Sequence, residues 1–114
     1  MDELEAHPLS PISRGIDVTD AFCSDLDAAT SAWLRSRLGP EPQGPMEEKV
    51  TRVAGPPEIP SSYLLLEQDE VLPPAYQLEH AKRIGAGEIV RLAAGHSVFA
   101  SQPEALAELL LRYA

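Results

Sequence analysis

Residues 62–93, SYLLLEQDEVLPPAYQLEHAKRIGAGEIVRLA, form the most regular pattern in the chain. Residues 62–67 are a continuous apolar run between a proline and a polar stretch, which is typical of a strand covered on both faces of a parallel sheet. Residues 74–84 predict a helix, with Pro74 in its first turn and glycines after its end. Residues 88–93 predict a second strand. The segment therefore predicts two parallel strands joined by a right-handed helical crossover.

The sequence after the second strand predicts one more helix. The run from Ser101 to Glu104, SQPE, has the pattern of a capping box, with Ser101 at the cap and Glu104 at position N3. That helix would have one apolar face, formed by Leu106, Leu109, Leu110 and Tyr113. The order strand, helix, strand, helix indicates an α/β fold. Two parallel strands alone would still need helices on both faces and neighbours at both edges.

Upstream of this unit, the sequence is less regular and holds most of the 11 prolines. Residues 17–25 predict one or two helical turns. Asp25 is suited to cap a helix that runs to Leu38, with Gly39 as its stop. The apolar residues of that helix fall near helical spacing and are Leu26, Ala29, Trp33, Leu34 and Leu38.

Two segments rich in proline and glycine interrupt the chain. They are residues 39–46 (GPEPQGPM) and residues 55–60 (GPPEIP). Between them, residues 47–54 are compatible with a short strand or a turn of helix, and residues 1–15 show no period. The regular part of the chain is therefore expected in its C-terminal half.

Charge and cysteine content narrow the class of protein. The net charge of −9 argues against nucleic acid or an anionic membrane as a partner, because both attract positive surfaces. Cys23 is the only cysteine, so no internal disulfide can form and a reducing, cytoplasmic location is expected. No signal peptide or membrane span is predicted. The three histidines and Cys23 lack metal-ligand spacing, and neither a metal nor a cofactor is expected.

Two polar residues, Asp69 and His96, each follow a predicted strand. In open parallel sheets, sites form at the carboxyl ends of the strands, so the two side chains are expected to meet at one edge. A carboxylate there can accept a hydrogen bond from one imidazole nitrogen, which fixes the tautomer and leaves the other nitrogen free as a general base. Asp69 and His96 are therefore the candidate catalytic residues.

At these positions the sequence resembles the C-terminal portion of an α/β-hydrolase, from the branch of the plant methyl-ester esterases and their bacterial relatives. That branch has D-x-x-x-P-x-x-x-Q after one strand, then a GH or DH pair before a small polar residue, and then a P-x-x-L helix. The matching residues here are Asp69, Pro73, Gln77, Gly95, His96, Pro103 and Leu106. Residues 21–50 resemble, more loosely, the end of the helical cap of the family.

The resemblance implies a partial α/β-hydrolase fold and hydrolysis of a carboxylic ester, with Asp69 as the triad acid and His96 as the triad base. Residues 1–46 would be the end of a cap-like segment and its linker, with Trp33 as a candidate for shaping the substrate pocket. Residues 47–114 would be the C-terminal part of the core. A small-molecule ester would be the substrate.

The nucleophile of the family lies in G-x-S-x-G, and the 114 residues contain neither this motif nor the family's oxyanion-hole loop. The serine is therefore expected upstream of Met1, and the chain alone is expected to be inactive and marginally folded. Cys23 and Ser97 are poor substitutes. Cys23 has no basic neighbour to activate it, and Phe99 stands where a nucleophile elbow after Ser97 needs glycine.

Two other interpretations of the sequence stay open. The chain could be a non-catalytic binding or regulatory fragment that pairs with another subunit or with itself as a homo-oligomer, through open strand edges. It could also be an independent small α/β domain in which Asp69 and His96 are turn residues. His80 is interpreted as a surface or half-buried helix residue, and His7 receives no role.

Overall fold

The computed structural model describes residues 17–40, 42, 48–51 and 58–114. Its elements, in chain order, are α1 (Val18–Phe22), α2 (Ala28–Arg37), β1 (Ser62–Leu66), α3 (Pro74–Arg83), β2 (Glu88–Leu92), α4 (Val98–Ser101) and α5 (Pro103–Leu111). The predicted order of strand, helix, strand and helix is confirmed, and both strands and α3 end within one residue of their predicted bounds. Residues 48–51 are irregular, while residues 1–15, most of the first linker and half of the second lie outside the described part of the chain.

The two strands are parallel neighbours, as the crossover pattern predicts. Their register runs from Ser62 opposite Glu88 to Leu66 opposite Leu92. Helix α3 connects them and packs against β1. It ends at Arg83, and Gly85 just beyond it has a φ of +68°, the left-handed conformation that closes many helices. The Ala86 N–H then donates to the Ala81 carbonyl at 3.0 Å and completes this helix end.

The hydrophobic core is small. Among the described residues, the buried apolar side chains are Ala21, Cys23, Leu34, Leu65, Val71, Ala81, Ala94 and Val98. Leu65 is the one large side chain among them that is fully buried. Ile89 on the neighbouring strand is 41% exposed, so the expected cover on both faces of the sheet is incomplete within the described residues.

The predicted helix caps are wrong at two positions. Helix α2 begins two residues later than predicted, and Asp27 caps it by accepting from the Thr30 N–H at 2.7 Å. Asp25 instead lies in a turn that follows α1. Ser101 does not cap the last helix because it ends the short helix α4, and its buried hydroxyl has no hydrogen-bond partner among the described residues.

The expected apolar face of α2 is only partly buried. Leu34 is buried, whereas Leu38 is 44% exposed and Trp33 is 50% exposed. The Trp33 ring lies under the Arg37 guanidinium, whose central carbon is 5.8 Å from the ring centroid. This is a cation–π contact on the surface of the helix. The hydrogen bonds and ring contacts of Trp33 among the described residues do not involve Asp69 or His96.

Candidate active site

The site is an acid–histidine pair at the carboxyl ends of the two strands. Asp69 lies in the loop after β1 and His96 in the loop after β2, and Asp69 Oδ2 is 2.9 Å from His96 Nδ1. The parallel register places both loops at the same edge, because neighbouring strands end together. The structure thus brings together the two residues that the sequence singles out.

The Asp69 carboxyl group is buried and holds its own loop in shape. Asp69 is only 5% exposed. Its Oδ1 accepts from the Val71 N–H at 2.8 Å and from the Leu72 N–H at 3.0 Å, which is an Asx turn. Its Oδ2 is left for His96. A carboxylate can only accept hydrogen bonds, so His96 Nδ1 carries the proton and donates it to Asp69.

The other ring nitrogen, His96 Nε2, has no hydrogen bond to any described residue. The His96 side chain is 32% exposed, whereas that of Asp69 is 3% exposed. A half-buried imidazole with Nδ1 fixed by a carboxylate and Nε2 unoccupied is arranged to take a proton from a group in front of it. This arrangement is chemically competent for general-base catalysis.

Gln77 holds the end of β1 and the acid loop together. Its side chain is almost fully buried, with Gln77 only 2% exposed. Its Oε1 accepts from the Leu66 N–H at 2.9 Å, and its Nε2 donates to the Leu66 carbonyl at 2.9 Å and to the Leu72 carbonyl at 2.7 Å. The amide therefore occupies both backbone groups of Leu66 that β2 does not pair, three residues before Asp69.

The histidine loop is held from the N-terminal helical segment. The Ser97 hydroxyl donates to the Phe22 carbonyl at 2.6 Å, and the Phe22 and His96 rings lie 5.3 Å apart between centroids. Ser97 is 3% exposed and is engaged with Phe22, which leaves it poorly placed as a nucleophile for His96. Cys23 is a buried free thiol.

An apolar groove of about 610 Å³ lies on the sheet face below α5. Its main apolar lining residues are Leu64, Val90, Leu106, Leu109, Leu110 and Tyr113. Neither Asp69 nor His96 lines it. The volume would suit a small ligand. Because the acid–histidine pair does not line this groove, a ligand bound there would not lie against His96.

Within residues 17–40, 42, 48–51 and 58–114, no three His, Cys, Asp or Glu side chains are grouped closely enough to hold a metal ion. In the same part of the chain, no helix has the length and apolar composition needed to cross a bilayer. His80 lies on α3 with its ring 4.4 Å from that of Tyr76, between centroids, in an edge-on arrangement.

Sequence reasoning missed the residues that hold the pair from a distance. Gln77 belongs to the quoted motif, but its bracing role follows only from the structure. Phe22, Asp25 and Ser97 gave no usable signal, since their contacts join segments 70 and 75 residues apart. Asp25 was assigned instead to a helix cap.

The chain is similar to known proteins over most of its length. The model of the alpha/beta hydrolase family matches residues 3–109. A curated relative, "Alpha/beta hydrolase nvfD" of Aspergillus novofumigatus, is 34% identical over 94 residues, which cover 82% of this chain and 37% of the relative. No solved structure gives a significant match. The family match over nearly the whole chain confirms the resemblance to an α/β-hydrolase, and the chain belongs to the alpha/beta hydrolase family.

Proposed function

We propose that this chain is the C-terminal portion of a carboxylic-ester hydrolase and supplies the acid, Asp69, and the base, His96, of its catalytic triad. The observation that carries the proposal is the 2.9 Å contact between Asp69 Oδ2 and His96 Nδ1, with Nε2 left unoccupied by the described residues. Membership of the alpha/beta hydrolase family supports it. The match to only 37% of the relative's length agrees with a serine located outside these residues.

The proposed chemistry follows from the pair. His96 Nε2 takes the proton of a serine hydroxyl as the serine oxygen attacks the ester carbonyl carbon. The imidazolium then gives that proton to the leaving alcohol, and an acyl-serine remains. A water molecule, deprotonated by the same nitrogen, releases the acid and restores the serine. Asp69 stays ionised throughout and stabilises the imidazolium through Nδ1.

A chimeric enzyme tests this proposal. This chain would replace the corresponding C-terminal part of an alpha/beta hydrolase that has a G-x-S-x-G serine. We expect the chimera to hydrolyse p-nitrophenyl esters and to react with a fluorophosphonate probe at that serine. The variant His96→Ala should lose activity by roughly 10⁴-fold or more, whereas His80→Ala, a histidine outside the pair, should retain it.

The chain alone provides the second arm of the test. It should neither turn over the ester nor react with the probe, because it lacks the nucleophile. Turnover by the chain alone that disappears in His96→Ala would contradict the expected inactivity. A folded chimera that reacts equally well with and without His96 would contradict the assignment of the base.

A second candidate function is non-catalytic pairing with another subunit or with a second copy of the chain. The groove below α5 favours it, since Leu110 is 63% exposed and Tyr113 is 56% exposed beside apolar sheet residues. Sedimentation velocity of the chain distinguishes the two candidates. Self-association that Leu110→Glu abolishes would support pairing, and a stable monomer at all concentrations would exclude the homo-oligomer.

A further inference from the structure

The last residue of α1 and the turn that follows it contact three consecutive residues around the histidine. Gly95 N–H donates to Asp25 Oδ2 at 2.7 Å, the His96 ring lies beside the Phe22 ring, and the Ser97 hydroxyl donates to the Phe22 carbonyl. These contacts close a loop of about 70 residues onto the site. The His96 loop is therefore shaped from one side by its own strand and from the other by the N-terminal helical segment.

Asp25 has no other hydrogen bond in the described part of the chain. It does not cap α2, because Asp27 does. Its Oδ1 is buried and has no hydrogen-bond partner among the described residues, so the carboxylate gives up solvation to reach the Gly95 amide. Such desolvation opposes folding unless the bond that remains is well formed. The Asp25 side chain thus makes one hydrogen bond, to the backbone amide of the residue before His96.

Gly95 fits this contact for reasons of space. Its φ is not positive, so its backbone conformation is open to other residues. A Cβ at this position, however, would lie 2.6 Å from Asp25 Oδ1 and 2.8 Å from Asp25 Cγ. A side chain on residue 95 would push the Asp25 carboxylate away from the backbone amide. Glycine before the histidine is therefore coupled to Asp25.

We propose that Asp25 is a positioning residue for His96. By holding the Gly95 amide, it fixes the plane of the loop that presents the imidazole, so that Nδ1 meets Asp69 and the ring lies against Phe22. This inference rests on the proposed function for its catalytic meaning, while its structural content concerns only the orientation of His96. Asp25 touches neither substrate nor reacting atoms and acts through the loop.

Nuclear magnetic resonance of the full 114-residue chain tests the proposal without any hydrolysis assay. In the unsubstituted chain, the Gly95 amide should be protected from exchange, and the His96 Hδ1 proton should give a downfield signal in slow exchange with water. Asp25→Ala should speed the exchange of both protons by roughly tenfold or more, because the loop then opens more easily. Asp25→Asn, which keeps an acceptor for Gly95, should restore most of the protection.

The matched control is Asp27→Ala, which removes the cap of α2 two residues away. It should loosen that helix but leave the His96 Hδ1 exchange within about twofold of the unsubstituted chain, because the Asp27 side chain accepts its hydrogen bond from Thr30 within α2. Equal effects of Asp25→Ala and Asp27→Ala on that exchange would reduce Asp25 to a general structural role and overturn the proposal. A random-coil Gly95 shift in the unsubstituted chain would overturn it as well.

A double-mutant cycle gives the second test. Gly95→Ala alone should disturb the His96 Hδ1 signal as much as Asp25→Ala does, and adding it to Asp25→Ala should change little more, because the group that it displaces is already gone. Independent, additive effects would contradict the coupling. A chimera without hydrolysis would refute the proposed function yet leave these readouts unchanged, so the two failures are distinguishable.

Discussion

The acid–histidine site and the groove below α5 differ in how completely the described residues close them. At the site, the buried polar residues Asp69, Gln77 and Ser97 are all at most 5% exposed, and each has its hydrogen bonds. In the groove, Leu110 and Tyr113 are more than half exposed. The polar groups around the acid–histidine pair are thus buried and hydrogen-bonded, whereas the apolar side chains of the groove are largely exposed.

This difference shows that local hydrogen bonds and sheet burial have separate requirements. The site needs only two strand ends, one amide side chain and a turn, all of which this chain contains. Covering a parallel sheet requires further strands and helices on both of its faces. Substitutions at the site should therefore act strongly and specifically, while substitutions in the groove should have little effect on the fold of the chain itself.

The largest effect is expected for Asp69→Asn in the catalytic chimera. An amide at residue 69 can donate to Nδ1 and stabilise the wrong tautomer, so kcat should fall by roughly 10⁴-fold while the fold persists. Steady-state hydrolysis of a p-nitrophenyl ester measures the change. Glu67→Gln, an exposed carboxyl group two residues earlier, is the matched control and should stay within about twofold. Comparable losses in both variants would remove Asp69 from the triad.

The next effect contrasts the core with the groove. Leu65→Ala empties the fully buried position of β1 and should lower the free energy of unfolding by about 2–5 kcal/mol. Leu110→Ala, at a 63% exposed position, should change it by less than about 0.5 kcal/mol. Urea unfolding of the two variants gives both values. A large loss for Leu110→Ala would mean that the groove is covered in solution, by a second copy or by another part of the chain.

The fold was predictable where the pattern of one short segment decides it. The apolar run of β1, the proline at the start of α3 and the glycine at its end are local signals with local causes. The predicted helix caps were wrong because a second suitable residue or a preceding helix lies within a few positions. Asp27 lies two residues after Asp25, and Ser101 was already part of a preceding helical turn.

The candidate site, too, was predictable in its local features and not in its long-range contacts. The meeting of Asp69 with His96 follows from the rule that parallel strands end at one edge, which needs no knowledge of packing. The contacts of Asp25 and Phe22 with the histidine loop depend on how a segment some 70 residues away folds back. No period or spacing in the sequence encodes that approach, so only the structure assigns it.

A smaller effect is expected at Gln77, which holds the end of β1 and the acid loop together. Gln77→Leu would leave the Leu66 N–H and the Leu72 carbonyl without their partner, and the Leu66 carbonyl with only the long bond from the Asp69 N–H at 3.3 Å, at a cost of about 2–3 kcal/mol in unfolding free energy. Gln68→Leu, an exposed glutamine, is the control and should be nearly neutral. Urea unfolding compares the two, and equal midpoints would show that water replaces the Gln77 amide without loss.

The smallest effect is expected in the stability of the chain at alkaline pH, through Tyr63 near Asp69. Burial, and then the negative charge of Asp69, raise the pKa of the Tyr63 hydroxyl above its ordinary value. The folded state therefore holds this proton more tightly than the unfolded state, and the stability that it contributes is complete below the unfolded pKa of about 10 and is lost as pH rises through the folded pKa. Unfolding free energies measured between about pH 9 and about pH 11 should fall less steeply in Tyr63→Phe than in the unsubstituted chain. An unchanged slope in Tyr63→Phe would show that water reaches the Tyr63 hydroxyl, and that the charge of Asp69 is directed at His96 alone.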